Sequence, residues 1–231
     1  MSVLHLQATP RVTTTDQAYN AILTAILDGS IPAGAALPLQ ELAKSLGMSM
    51  MPVREAIRQL EATGIIEMVR HKGARVRPVS DADLEDTYTA RIELEGVLVD
   101  LAARRFDAAD AVKARAFLDE QQVAIANGDA VAARMAHQNF HFSIYESAGS
   151  EWLCRSVWPT WHNSERYRSL GMSDPKTVSS RRAEHEAILQ ACIDHDPVRS
   201  RAALREHLMT TVKQLNPAVA ERLAGLGQGT P

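Results

Sequence analysis

The sequence predicts a mainly α fold: an N-terminal winged helix-turn-helix with a small β-hairpin wing, followed by an all-α antiparallel helical bundle. Three observations carry that expectation. Two short amphipathic segments, Leu39 to Leu46 and Ser49 to Gly64, meet at a turn containing Gly47. Two short strand-like runs, Ile65 to Val69 and Ala74 to Arg77, follow at once around the basic tip Arg70-His71-Lys72-Gly73. From Asp81 onward only helical periodicity is present, with no alternating runs and no hairpin dipeptides. At 231 residues the chain is too long for a lone winged helix and suits two domains. Pro78-Val79-Ser80 reads as the linker, dividing the chain into residues 1–78 and 79–231.

Residues 1–12 carry no periodic signal and are expected to be loose. A helix capped by Thr15 or Asp16 runs to Leu27 on the stripe Ala18, Ile22, Ala25 and Ile26, and Gly29, Pro32 and Gly34 break it. In the segment from Ser49, the apolar residues Val53, Ile57 and Leu60 recur at helical spacing, so one face can pack on a small core. Arg54 and Arg58, four apart, stand together on another face. Ser49 can cap the start, Pro52 falls in the first turn where a missing N–H costs little, and Gly64 closes the helix. Two short helices, the second presenting arginines, form the arrangement that probes the major groove of DNA.

The composition, 45% apolar and 23% charged, is that of ordinary soluble globular material. No run of 18 apolar residues exists and the N-terminus lacks a charged-then-apolar leader, so a cytoplasmic protein with no membrane partner is expected. Cys154 and Cys192 have no metal-binding spacing and read as small buried hydrophobes. The net charge of −3 argues against nucleic acid until it is divided: residues 1–78 hold 8 Lys+Arg against 6 Asp+Glu, residues 79–231 hold 17 against 22. The basic part is the winged one, as attraction to phosphate requires. An excess of +2 is modest, which favours two copies acting on one site.

Beyond the linker, helices are expected over Asp81 to Phe106, Asp110 to Ala126, Asp129 to Ala148, Glu151 to Val157, Trp161 to Leu170, Asp174 to His195, Asp196 to Leu215 and Pro217 to Leu226. Pro159 is read as the break between the fourth and fifth of these. Short connections make them an antiparallel bundle. Six of the eight histidines lie here. His137 and His141, four apart, share a face with Ala133, Phe140 and Ile144, a spacing that can grip one ion. His185 sits with Ile188, Leu189 and Cys192, and His207 with Ala203, Leu204 and Thr211, on consecutive helices that can approach each other. Four inward imidazoles suggest a divalent transition metal, zinc or nickel first, against the plainer alternative of four separately hydrogen-bonded core histidines. Arg91 lies in the stripe Leu84, Tyr88, Leu94, Leu98 and Ala102; a buried guanidinium there either pairs with Glu95 or forks onto the carboxylate of a small acid. Arg134, Asn163 and Arg166 are further candidates for that acid.

The run G-x-I-x-x-G at Gly29 to Gly34, E-L-A-x-x-L-G at Glu41 to Gly47, P-V-R-E-A-I-x-x-L at Pro52 to Leu60, then Gly64 and the wing residue Gly73, closely resembles the winged helix-turn-helix of GntR-type bacterial transcription regulators over about 65 residues. Such proteins usually carry an arginine after the serine that opens the recognition helix, where this chain has Met50. Phe140-His141, E-H-x-x-I-L at Glu184 to Leu189, R-x-H-L at Arg205 to Leu208 and R-x-x-x-E at Arg91 to Glu95 resemble the all-helical FCD-type sensing domain of FadR-like members. The resemblance implies operator DNA as partner, a homodimer, and a divalent metal held by three histidines, which fall on His141, His185 and His207. The usual aspartate or asparagine position falls on His137, which makes an all-imidazole site. On the DNA side, Ser49, Met51 and Arg54 are expected at base edges or flanking phosphates, Arg58 at a phosphate, and His71, Lys72 and Gly73 in a neighbouring minor groove, with Gln40 and Met50 completing the set.

The expected function is a ligand-responsive transcription regulator that binds operator DNA as a homodimer and holds a small carboxylic-acid effector beside a metal. The rival is a helical-bundle metalloenzyme with an appended DNA-binding domain. No residue supplies the general base such an enzyme needs, and His185-Glu186 fails the H-E-x-x-H pattern because position 189 is Leu.

Overall fold

The computed structural model describes residues 12–171 and 175–226, with the side chains of all these except residues 170–180 and 226. Two compact units divide at Pro78 and Val79. Among the described residues there are ten helices and one two-stranded antiparallel hairpin. The stretch 1–11 expected to be loose and the cap expected at Asp174 lie outside the described residues.

In the first unit, α1 (Thr14–Leu27), α2 (Leu39–Ser45) and α3 (Met50–Ala62) precede β1 (Ile66–Val69) and β2 (Gly73–Val76). The α1 cap is Thr13 rather than Thr15 or Asp16. Its hydroxyl accepts from Asp16 N while the Asp16 carboxylate accepts from Thr13 N, so two otherwise unpaired donors are satisfied reciprocally. Ser49 does occupy the cap position of α3, but its side chain makes no capping hydrogen bond. Gly47 turns the chain between α2 and α3 with φ +63°, a left-handed conformation costly for a side chain. Val53, Ala56, Ile57 and Leu60 bury one face of α3 against Ala18, Ile22 and Ile26 of α1 and Ile65, Ile66 and Val76 of the hairpin. The hairpin pairs Glu67 with Arg75, whose side chains form a cross-strand ion pair at 2.5 Å. Ala36 bridges Arg75 on the other edge of β2, giving the wing a third short pairing that has no strand-like signal in the sequence.

The second unit holds α4 (Asp81–Ala103), α5 (Ala108–Ala126), α6 (Ala130–Glu146), α7 (Glu151–Gly171), α8 (Pro175–Ile193), α9 (Pro197–Leu215) and α10 (Pro217–Leu226). Asp107 caps α5, and Asp110 is the third residue inside it, closing a capping box. The break expected at Pro159 is corrected: α7 is one helix with Pro159 inside it. Proline removes one ladder hydrogen bond, but Val157 and Trp161 on either side are fully buried in one core, and that burial outweighs the local cost. The core runs through Leu98, Val99, Phe140, Ile144, Trp161, Leu189, Leu204 and Leu208. No helix among the described residues is long and apolar enough to cross a membrane.

Candidate functional site

The exposed face of the first unit carries the residues expected at DNA. Gln40, Ser49, Met50, Met51, Arg54 and Arg58 are all exposed, although Met50 and Met51 gain nothing from facing water. Arg54 makes no hydrogen bond or ion pair among the described residues. Arg58 meets Glu55 at 3.4 Å, an exposed pair with little hold on it. His71 adopts φ +63° and Gly73 φ +81°, so the chain reverses tightly and Arg70, His71 and Lys72 stand exposed at the wing tip.

In the second unit, α6 supplies His137 and His141, α8 supplies His185 and α9 supplies His207. All four are buried, and one ligand atom from each lies within 4.8 Å of the others. Burial and neighbouring cations hold every one well below the ordinary histidine range, so all four imidazoles are neutral, the form that ligates metal.

The hydrogen-bond partners set the tautomers. Tyr145 donates its hydroxyl proton to Glu95 at 2.6 Å, so at 3.2 Å from His141 Nδ1 its oxygen accepts and Nδ1 carries the hydrogen. His207 Nδ1 faces Glu184 at 2.7 Å and must donate, since a carboxylate only accepts. Both rings therefore keep an Nε2 lone pair for another partner. His185 Nε2 stands 3.2 Å from His141 Nε2, close to the roughly 3.3 Å between two nitrogens on one tetrahedral zinc. These three histidines fit a divalent ion, and the partners behind His141 and His207 are the kind that orient metal-bound imidazoles. His137 is set the other way. Arg168 Nη1 donates to its Nδ1 at 2.9 Å, which puts the hydrogen on Nε2, a buried atom with no hydrogen-bond partner among the described residues.

Arg91 is buried and forks onto Glu95 at 2.5 and 3.1 Å, with Ser164 Oγ accepting from Nη1 at 2.9 Å. Burial opposes its charge, but the Glu95 carboxylate raises its pKa and keeps it cationic. Its guanidinium lies over Trp161, whose ring stacks on His137. Asn163 donates to Asp83 at 2.8 Å and Thr87 at 2.7 Å and accepts from Arg166 at 2.7 Å, so α7 is tied there to the first turns of α4. Arg134 is half-buried and makes no hydrogen bond or ion pair among the described residues. Sequence reasoning missed Tyr145, Glu184, Glu165 and Arg168. Tyr145 lies four residues after His141 on the same helix face and Glu184 directly precedes His185, so both had a local signal; Arg168 had none.

Comparison with known proteins follows the same division. The family described as "Bacterial regulatory proteins, gntR family" matches residues 14–76, and the FCD domain matches residues 86–210. A probable D-xylose utilization operon transcriptional repressor of Paenarthrobacter nicotinovorans is 31% identical over 219 residues, covering 94% of this chain and 93% of that protein. The HTH-type transcriptional repressor GlaR of Escherichia coli is 27% identical, covering 87% and 96%. The E. coli McbR/YncC structure has a TM-score of 0.78 at 24% identity, covering 90% of this chain and 99% of that one, which establishes likeness of fold.

Proposed function

Because the chain belongs to the gntR family of bacterial regulatory proteins, transcriptional regulators and not enzymes, and carries an FCD domain, we propose that it is a metal-dependent sensor of a small carboxylic acid that binds operator DNA as a homodimer in the cytoplasm. The observation that carries this reading is the approach of four buried, neutral imidazoles from three helices to within 4.8 Å. Such a cluster is expensive to maintain for packing alone, because each ring buries two polar nitrogens. Four neutral nitrogen donors favour zinc, nickel, cobalt or copper over manganese and magnesium. His141, His185 and His207 would hold the ion as they stand, and His137 would join them once its hydrogen moves to Nδ1; when bound, the ion supplies a Lewis-acidic position for a carboxylate. His137 Nε2, and Trp161 Nε1 on the ring that stacks on His137, are buried with no hydrogen-bond partner among the described residues, which supports a polar occupant beside them.

Arg91, Arg134, Asn163 and Arg166 remain the candidates for the acid's far end, although Glu95 and Ser164 already engage Arg91. The two full-length relatives are named as repressors, which supports repression as the output. In the first unit, Gln40, Ser49, Met50, Met51, Arg54 and Arg58 face the major groove and adjoining phosphates, with His71, Lys72 and Gly73 in the minor groove. Two symmetric copies supply the contact area that one winged unit lacks.

The test is to strip the full chain with a chelator, reload it with zinc, and titrate operator binding with small carboxylic acids in both states. Response only in the loaded protein supports the sensor. Metal content unchanged by His141→Ala and His185→Ala overturns the site, and a monomer by light scattering at micromolar concentration overturns the dimer.

A further inference from the structure

We propose that Arg168 is the anion-binding residue of the histidine centre, withheld by His137 until a metal arrives, so that ion and carboxylate bind cooperatively. The inference rests on the metal-dependent reading above and adds to it the residue that couples the two ligands.

Arg168 reaches from the last turns of α7 to the histidines and is only 16% exposed. Its Nη1 donates both to His137 Nδ1 and to the Glu165 carboxylate. A guanidinium has no acceptor, so this contact exists only while His137 Nδ1 offers a lone pair. The neutral ring then carries its hydrogen on Nε2. To ligate an ion through Nε2, His137 must move that hydrogen to Nδ1, and Nδ1–H then points at a donor. Ligation by His137 and its hydrogen bond to Arg168 are mutually exclusive. No proton is gained or lost; it changes nitrogen on one ring.

Released from His137, the guanidinium still pairs with Glu165 through Nη1 and can turn about that contact. Its Nε and Nη2 make no hydrogen bond among the described residues, so one edge of the fork is already open. The charge around the centre favours an anion. All four ligands are neutral, so a divalent ion there keeps its full charge. The nearby carboxylates are each matched by a cation, Glu95 by Arg91, Glu165 by Arg168 and Glu184 by Arg181, so the charge left unmet is that of the ion. Arg181, its pKa pushed down to about 10 by burial and by Arg168, offsets the Glu184 carboxylate. A carboxylate spanning the ion and the open edge of Arg168 relieves both.

The experiment is a cobalt(II) titration of the full chain, read by visible absorbance, with and without acetate as a minimal carboxylate, on the parent and on Arg168→Gln. In acetate-free buffer Arg168→Gln is expected to bind cobalt about tenfold more tightly, since no charge-assisted hydrogen bond must break first. Acetate is expected to tighten cobalt binding to the parent and to leave the variant unchanged. Equal cobalt affinity and an equal acetate effect in the two proteins overturn the inference while leaving the metal site standing; no cobalt binding by the parent overturns the metal site itself. A second measurement needs no variant. Nitrogen-15 NMR of the parent's histidines is expected to show His137 protonated on Nε2 without metal and on Nδ1 with zinc. A His137 that stays protonated on Nε2 in zinc-loaded protein overturns the switch.

Discussion

His207 directs its Nδ1–H at Glu184 across 2.7 Å, from α9 to α8, and that contact leaves its Nε2 lone pair aimed at the other imidazoles. The residue preceding one histidine of the cluster thus orients another. Burial raises the pKa of the Glu184 carboxyl, while the charge of Arg181 opposes that rise. Glu184→Gln keeps the size and can still accept through its amide oxygen, but it loses the charge that strengthens the ligand. Metal affinity is expected to fall roughly 10- to 100-fold, measured by competition with a chromogenic chelator. An unchanged affinity removes Glu184 from the site.

The four histidines also make stability depend on pH in a known direction. Each is held neutral in the fold, with its pKa well below 6.5 because of burial first and nearby positive charge second. Unfolded, each takes up a proton as pH falls through 6.5, so the unfolded chain binds more protons. The stabilisation is therefore complete above that pH and is lost as pH falls towards the folded-state values, by at most about 1.4 kcal/mol per pH unit for each histidine. Metal-free protein is expected to melt at a progressively lower temperature from pH 7.5 to pH 5.5. A flat profile would mean that the rings are solvated.

Much of this centre was legible in the chain, for a physical reason. His137 and His141 are one helical turn apart, and His185 and His207 sit on apolar stripes of consecutive helices, so periodicity alone aims all four inward. The Arg91 stripe and its partner Glu95 were visible in the same way, and so was the two-unit order of elements. What could not be read were contacts between positions remote in sequence. Arg168 meets His137 across 31 residues, and nothing in either helix announces the other. The Ala36 bridge to Arg75 depends on a loop with no strand pattern. Pro159 misled because a local rule was overridden by Val157 and Trp161 burying on both sides of it.

Arg91 and Glu95 separate a structural from a sensing role. Both are essentially without solvent access, so removing one leaves the other charge buried. Glu95→Ala is expected to cost roughly 3–5 kcal/mol, read by urea unfolding. The paired replacement Arg91→Met with Glu95→Leu is expected to recover most of that loss. If the double variant folds, binds zinc and still responds to the acid that works on the parent, Arg91 belongs to the framework and not to the effector.

The last prediction concerns DNA. Arg54 projects from an exposed face of α3 and makes no hydrogen bond or ion pair among the described residues, whereas Arg58 is shared with Glu55. A guanidinium so placed on the helix proposed to enter the groove is suited to the O6 and N7 of guanine, a pairing worth about 1–3 kcal/mol of discrimination. Arg54→Ala is therefore expected to relax sequence choice at one position in each half-site while circular dichroism stays unchanged. Arg58→Ala removes a charge but no base contact, so it should weaken binding to all sequences alike and lower the slope of log affinity against log salt by about 1 per copy. Met50, 45% exposed, offers only apolar surface where an arginine is usual, suited to a thymine methyl. Met50→Arg is expected to raise affinity for unrelated DNA and blunt selectivity. These outcomes are read from selected-sequence binding at two salt concentrations. If Arg54→Ala recovered the parent's motif with the parent's affinity, α3 would not read bases through that residue.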